Sequence, residues 1–151
     1  DTMIRERFVD HRPLVRYHPM PVEADDIRAA LTDHLTELEH LAGTPARLDL
    51  IQLGLGDDGH TASLVPDDPI LEATTDVAVS AEYKGTRRWT MTAPLINRAR
   101  ERLFLVTGTE KDEALRRLAA GDPDIPGSLI TDDQTFLVTD RQIPGFTPKL
   151  W

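Results

Sequence analysis

Apolar residues recur along the chain with two different spacings. Between residues 24 and 41, isoleucine and leucine fall at steps of three and four residues, which predicts an amphipathic α-helix. Residues 48–55 and 103–106 instead hold short runs of aliphatic side chains followed by glycine, as expected of buried strands. The pattern also predicts strands at residues 14–17, 77–79, 88–92 and 135–139 and helices at residues 1–10, 61–64, 94–99 and 110–120.

The order of these elements indicates the fold class. Parallel neighbouring strands need crossover connections, so the repeated order strand, turn, helix, strand predicts an α/β fold with a parallel sheet and helices on both faces. With 151 residues, the chain is long enough for one domain. Ligands of open α/β sheets bind beyond the carboxyl ends of the strands, so the loop after residues 48–55 is the first candidate site.

Composition narrows the classes of partner and compartment. The formal net charge of −9 repels nucleic acid and anionic membrane surfaces, so neither is expected as a partner. No apolar run approaches the roughly 20 residues that span a bilayer. A cytoplasmic location is therefore the default expectation, and the absence of cysteine fits a reducing compartment.

The loop after residues 48–55 carries the side chains with the most reactive chemistry. The stretch 53–66 reads LGLGDDGHTASLVP and brings Asp57, Asp58 and His60 directly after glycines. Imidazole exchanges protons near neutral pH, and a carboxylate two residues away can fix its tautomer and orientation. This spacing therefore makes His60 a candidate for proton transfer.

The glycines of this loop also allow a dinucleotide-binding interpretation. Gly54, Gly56 and Gly59 have the spacing of that fingerprint, and Asp76 lies where its ribose-binding acid would be. Two carboxylates inside the loop would oppose a bound pyrophosphate, however, and Pro66 cuts short the helix that should carry the phosphates. The dinucleotide interpretation is therefore weak.

A metal site is a second alternative for the same loop. Asp57, Asp58 and His60 offer oxygen and nitrogen ligands, but no second histidine or carboxylate follows at ligand spacing in a helix. No Walker-type phosphate loop is present either. We therefore expect no metal and no cofactor.

Basic residues that could bind an anion lie later in the chain. Lys84, Arg87 and Arg88 form a cluster, although each alone is more often a solvated surface residue. Lys111 lies in the first turn of a predicted helix, where a cation opposes the helix dipole. A bound phosphate, held by backbone N–H groups and the ammonium together, would compensate for that placement.

These residues resemble a known family. Residues 53–66 are similar to the signature of 6-phosphogluconolactonases, and residues 88–92, 95–100 and 105–111 are similar to further segments in the same order. The related glucosamine-6-phosphate isomerases and deaminases share the Asp-Gly-His core but continue differently where this chain reads TASLVP. The resemblance covers nearly all of the chain but only the C-terminal portion of the family's single domain, without its N-terminal phosphate loop.

The resemblance implies a Rossmann-like α/β fold and metal-independent hydrolysis of 6-phosphoglucono-δ-lactone in the pentose phosphate pathway. His60 would be the general base that activates water, with Asp58 orienting its ring. The site residues that it implies are His60 and Asp58 for catalysis and Gly56, Gly59, Arg88 and Lys111 for binding of the sugar phosphate lactone.

Two alternatives stay open at this point. The first is an isomerase or deaminase that acts on amino-sugar phosphates. The second is an inactive fragment or interaction piece, because a sheet without the family's N-terminal strands would expose an edge and an apolar face. In that case the chain is expected to self-associate or to pair with an N-terminal segment.

Overall fold

The computed structural model describes residues 2–143, which contain both helices and strands. The helices are α1 (Thr2–Ile4), continued by a π-helical segment (Arg5–Val9), α2 (Ile27–Ala42), α3 (Ala93–Arg98) and α4 (Asp112–Ala119). The strands are β1 (Leu50–Leu53), β2 (Val77–Val79), β3 (Trp89–Met91), β4 (Glu101–Val106) and β5 (Thr135–Thr139). Short 3₁₀ helices lie at Pro69–Glu72, Thr109–Lys111 and Pro126–Leu129. Among the helices described, none is long and apolar enough to cross a bilayer.

The strands form two separate sheets. β1, β4 and β5 make a parallel sheet in the order β1-β4-β5, whereas β2 and β3 form an antiparallel ribbon. Leu53 pairs with Phe104, so the ends of β1 and β4 lie at the same edge of the sheet. The predicted α/β class with a parallel sheet is confirmed, and its register brings the loops after β1 and β4 together.

The core lies on one face of the parallel sheet. Ile51, Phe104 and Val106 point into it and are buried with Ile96 of α3 and Leu115 of α4. Burying side chains of this size is worth about 1.5–3 kcal/mol each relative to exposure. This face therefore fixes α3 and α4 against the strands that carry the site loops.

The opposite face of the sheet is less covered within the described residues. Leu50, Leu105 and Val138 lie on it with exposed fractions of 54%, 49% and 48%. Leu105 and Val138 pair directly in the register of β4 and β5, so their side chains form one apolar patch. We call these three residues the open sheet face.

The long helix α2 covers a second, smaller core. The Asp26 carboxylate caps its first turn by accepting hydrogen bonds from the Arg28 and Ala29 N–H groups at 3.0 Å each. Gly43 ends it with a φ of +87°, a conformation that favours glycine. The helix packs beside Val77 of the ribbon, so the amphipathic helix predicted for residues 24–41 is confirmed with a later start.

Two of the shorter elements were predicted wrongly. Residues 14–17 form no strand, because the Val15 N–H donates back to Arg12 O in a turn and the prolines nearby supply no N–H groups. Residues 61–64 form a tight turn in place of a helix, closed by a 2.9 Å hydrogen bond from the Leu64 N–H to Thr61 O. Ala62 has a φ of +50°, which is incompatible with a right-handed helix.

The remaining elements follow the prediction with small shifts of their ends. The strands predicted at residues 77–79 and 135–139 are confirmed at the same bounds. The first helix was predicted from Asp1, which lies outside the described residues, and its described part is helical from Thr2. The predicted helix at residues 110–120 begins with a 3₁₀ turn that contains Lys111.

Candidate active site

The loop that follows β1 is closed by its own hydrogen bonds. The Gly56 N–H donates to His60 O at 2.8 Å, and the Gly59 N–H donates to Gly56 O at 3.1 Å. The Thr61 hydroxyl donates to Gly54 O at 2.8 Å and ties the end of the loop to its beginning. The backbone of residues 54–61 is therefore fixed before any ligand binds.

Two glycines of this loop are required for different reasons. A Cβ atom on Gly56 would lie 2.1 Å from His60 Nδ1 and 2.6 Å from Asp58 Oδ1, so any side chain would displace both groups. Gly59 has a φ of +82°, and a Cβ there would lie 2.5 Å from Ile125 Cβ. A Cβ on Gly54 would meet no described atom within 4 Å.

Asp58 and His60 form a hydrogen-bonded pair within the loop. His60 Nδ1 lies 2.6 Å from Asp58 Oδ1, and the same oxygen accepts the His60 backbone N–H at 3.1 Å. The side chains are 23% exposed for His60 and 31% for Asp58. An ionised carboxylate only accepts hydrogen bonds, so Nδ1 carries the proton of the neutral ring and Nε2 keeps a free lone pair. The spacing in the sequence predicted this pair correctly.

The second oxygen of the Asp58 carboxylate is held by a residue that the sequence did not reveal. The Tyr83 hydroxyl donates to Asp58 Oδ2 at 2.7 Å, and its ring centroid lies 6.1 Å from that of His60 at an interplanar angle of 61°. Tyr83 is 25 residues from Asp58, and no local pattern joins them. The nearest signal is the Lys84-Gly85 turn, which presents Tyr83 beside the loop.

The environment of Asp58 keeps its carboxylate ionised. Burial alone would raise its pKa, but hydrogen bonds from the Tyr83 hydroxyl and from the backbone and ring of His60 outweigh it. The pKa of Asp58 is lowered from 3.8 to about 2. The acceptor for His60 Nδ1–H is therefore present throughout the neutral range.

The structure brings one of the predicted phosphate-binding residues into contact with this group. The Arg88 guanidinium lies 5.3 Å from the centre of the Tyr83 ring, and the Lys84 ammonium lies 5.0 Å from it. Arg87 is exposed. Lys111 is partly buried in the turn after β4, where its backbone N–H donates to Gly108 O at 3.2 Å. Its ammonium forms no hydrogen bond or ion pair with another residue among those described.

Neither alternative interpretation of the loop gains support. The loop leads into a turn, so no helix N-terminus follows Gly59 for a pyrophosphate. Asp76 Oδ2 lies 2.5 Å from Arg98 Nη2 in an ion pair, so this carboxylate is not free to bind a ribose. Within residues 2–143, no group of three histidine, aspartate or glutamate side chains is placed to hold a metal ion.

Comparison with known proteins identifies relatives of this chain. A family model described as glucosamine-6-phosphate isomerases/6-phosphogluconolactonase matches residues 1–138. A 6-phosphogluconolactonase from Synechocystis sp. is 42% identical over 116 residues, which make up 74% of this chain and 48% of that protein. The chain thus spans about half the length of this curated relative.

Solved structures show the same fold. The 6-phosphogluconolactonase from Trypanosoma cruzi matches with a TM-score of 0.62 and 28% identity, over 74% of this chain and 49% of that one. A monomeric glucosamine-6-phosphate deaminase matches with a TM-score of 0.74 over 91% of this chain and 64% of that one. Its identity is 22%, so that similarity concerns the fold alone.

Replacing Asp58 by asparagine should reveal the stabilisation that its charge provides. Because the pKa of Asp58 is lower in the folded state, its charge stabilises the fold fully above pH 3.8. This stabilisation is lost as the pH falls through about 2. We expect Asp58→Asn to lower the free energy of unfolding by about 1–2 kcal/mol at neutral pH, a figure reduced for partial exposure. Urea unfolding at several pH values should show this difference shrinking below pH ~4.

The matched control is Asp57→Asn, which changes the exposed neighbouring carboxylate. It should alter the unfolding free energy by less than about 0.5 kcal/mol. A difference for Asp58→Asn that stays constant from neutral pH to pH ~2 would contradict the electrostatic account.

Proposed function

The chain belongs to the family of glucosamine-6-phosphate isomerases and 6-phosphogluconolactonases, and from this premise we propose that its protein hydrolyses 6-phospho-D-glucono-1,5-lactone to 6-phosphogluconate. The observation that carries the proposal is the 2.6 Å contact between His60 Nδ1 and Asp58 Oδ1, which leaves Nε2 as a base. The Synechocystis relative, named 6-phosphogluconolactonase, supports this choice within the family. The absence of cysteine suits a cytosolic setting for the reaction.

His60 acts as the base in the proposed reaction. Nε2 takes a proton from water while the water oxygen bonds to C1 of the lactone, which gives a tetrahedral oxyanion. When the bond between C1 and the ring oxygen breaks, the imidazolium returns the proton to that oxygen. The products are the free acid and the C5 hydroxyl, and the imidazole is neutral again.

The oxyanion needs hydrogen-bond donors that the loop does not already use. The Gly56 and Gly59 N–H groups donate to carbonyls inside the loop. Asp57 and Asp58 lie between these glycines, and their backbone N–H groups donate to no acceptor among the described residues. We assign the oxyanion to these two amides, while Gly56 and Gly59 serve substrate binding by keeping the loop close and free of side chains.

The phosphate requires local cations, because the net charge of −9 repels a dianionic substrate at long range. Arg88 lies beside Tyr83, which contacts Asp58, and can form the paired hydrogen bonds that suit phosphate. Lys111 follows β4, whose end lies at the same sheet edge as the loop. In our proposal these two side chains bind the phosphate from the ribbon and from the β4 turn.

Replacing His60 by alanine tests the base. Loss of general base catalysis should lower kcat/KM for lactone hydrolysis by about 10²–10⁴-fold. The melting temperature should change little, because the imidazole is partly exposed and its ring makes one hydrogen bond. The measurement is formation of 6-phosphogluconate, with ammonia release from glucosamine 6-phosphate assayed in parallel.

The control for this variant is His40→Ala, on the exposed surface of α2. It should retain full activity. If His60→Ala keeps near-normal turnover, the proposed mechanism is wrong. If the unmodified protein releases ammonia and hydrolyses no lactone, the alternative deaminase function replaces the proposed one.

Replacing either phosphate-binding cation should weaken substrate binding more than turnover. Arg88→Gln and Lys111→Gln each remove a charge-assisted hydrogen bond, so KM should rise about 10-fold or more. We expect kcat to change less than KM in both variants. Steady-state kinetics, with Arg87→Gln as an exposed control, checks this, and an unchanged KM in both variants would remove the assignment.

We also propose that further protein, either a second copy or another polypeptide segment, covers the open sheet face. Leu50, Leu105 and Val138 are each about half exposed, and adjacent apolar side chains favour association. The 151-residue chain alone should self-associate in sedimentation velocity, and Leu105→Glu should reduce this. Leu129→Glu, at an exposed leucine in a 3₁₀ helix, is the control. A concentration-independent monomer would refute the proposal.

A further inference from the structure

We infer that Tyr83 is a positioning residue of this site, which holds the Asp58 carboxylate in the one orientation that keeps His60 aligned. The inference rests on the proposed function of His60 as a base. Its evidence is the 2.7 Å hydrogen bond from the Tyr83 hydroxyl to Asp58 Oδ2, on the opposite side of the carboxylate from the imidazole.

The two oxygens of Asp58 have separate partners. Oδ1 accepts from the ring and from the backbone N–H of His60, whereas Oδ2 accepts from Tyr83. A carboxylate held at one oxygen alone can rotate about its Cβ–Cγ bond, and this rotation swings Oδ1 away from Nδ1. Fixing Oδ2 stops that rotation, so the phenol controls the imidazole through the carboxylate.

Tyr83 is itself held rigidly. It precedes the two-residue turn Lys84-Gly85, whose φ angles of +49° and +78° are those of a tight hairpin turn. The Tyr83 and Thr86 backbones exchange hydrogen bonds of 3.1 and 3.2 Å across it. The Arg88 and Lys84 cations lie within 5.3 Å of its ring centre. The hydroxyl is therefore presented by a fixed ring.

The hydrogen bond between Tyr83 and Asp58 can be removed without detaching the β2–β3 ribbon from the loop after β1. The Ser63 N–H donates to Thr90 Oγ1 of β3 at 3.0 Å, a second link between the same two parts of the chain. Removing the Tyr83 oxygen leaves that link, the turn and the ring contacts in place. The charged and titratable groups around Asp58 are His60 and Tyr83, which contact it, with Asp57, Lys84 and Arg88 nearby. Removing the Tyr83 oxygen also removes its interaction with Lys84, but it leaves the charges of these neighbours in place.

The test is Tyr83→Phe in the protein that carries this chain. We expect kcat for lactone hydrolysis to fall about 10-fold, as for loss of a hydrogen bond to a charged group, with KM changed less than about twofold. In ¹⁵N spectra, His60 should shift from a single Nδ1–H tautomer towards a mixture. In ¹³C spectra, the pKa of Asp58 should rise, because one of the hydrogen bonds that lower it is lost.

Two controls separate the possible outcomes. Tyr17→Phe removes the hydroxyl of the other tyrosine in the chain and should leave kcat and both spectra unchanged. If Tyr83→Phe keeps its kcat and the His60 tautomer, or loses activity only in step with its folded fraction, the inference is overturned. The spectra can be recorded without any catalytic turnover. If the unmodified protein does not hydrolyse the lactone, the proposed function is wrong, and the His60 tautomer in Tyr83→Phe still decides whether Tyr83 positions the pair.

Discussion

The arrangement of the site depends on a single ionised carboxylate. Asp58 accepts three hydrogen bonds, two from His60 and one from Tyr83, and these bonds hold its pKa near the lower end of the range for aspartate. Its charge fixes the tautomer of the imidazole, and its orientation fixes the direction of the ring. Each neighbouring feature, from the glycine at position 56 to the hairpin turn after Tyr83, leaves space for this group or supplies a donor to it.

The fold contributes by bringing the antiparallel ribbon against the loop that follows β1 of the parallel sheet. The register of β1 with β4 places the His60 loop and the Lys111 turn at neighbouring strand ends, while the β2–β3 ribbon brings Tyr83 and Arg88 from the side. The buried face behind the loop, with Phe104 and Ile96, holds this edge in place. In the proposed mechanism, the groups for proton transfer and for phosphate binding thus come from separate parts of the chain that share one support.

The sequence predicted what depends on local pattern. The strand at 135–139 and the long helix α2 were found because their periodicity agrees with their burial, and the Asp58–His60 pair was found because two residues of spacing suffice. The helix predicted at residues 61–64 does not form, because Ala62 has a left-handed backbone conformation. The strand predicted at residues 14–17 does not form beside the nearby prolines. Tyr83 could not be found, because its partner lies 25 residues away and the contact exists only after the two sheets are assembled.

The three glycines after β1 show how a spacing can mislead. Their separation is that of a nucleotide fingerprint, yet the three positions differ. Gly54 has open space beside it, and Gly56 lies against the Asp58–His60 pair. Gly59 has a left-handed backbone, and a Cβ there would meet Ile125. In nucleotide-binding loops such glycines make room for a ligand, whereas at position 56 the glycine makes room for the protein's own imidazole. Glycine spacing alone is therefore an ambiguous signal in searches for cofactor sites, and the residue types between the glycines separate the two meanings.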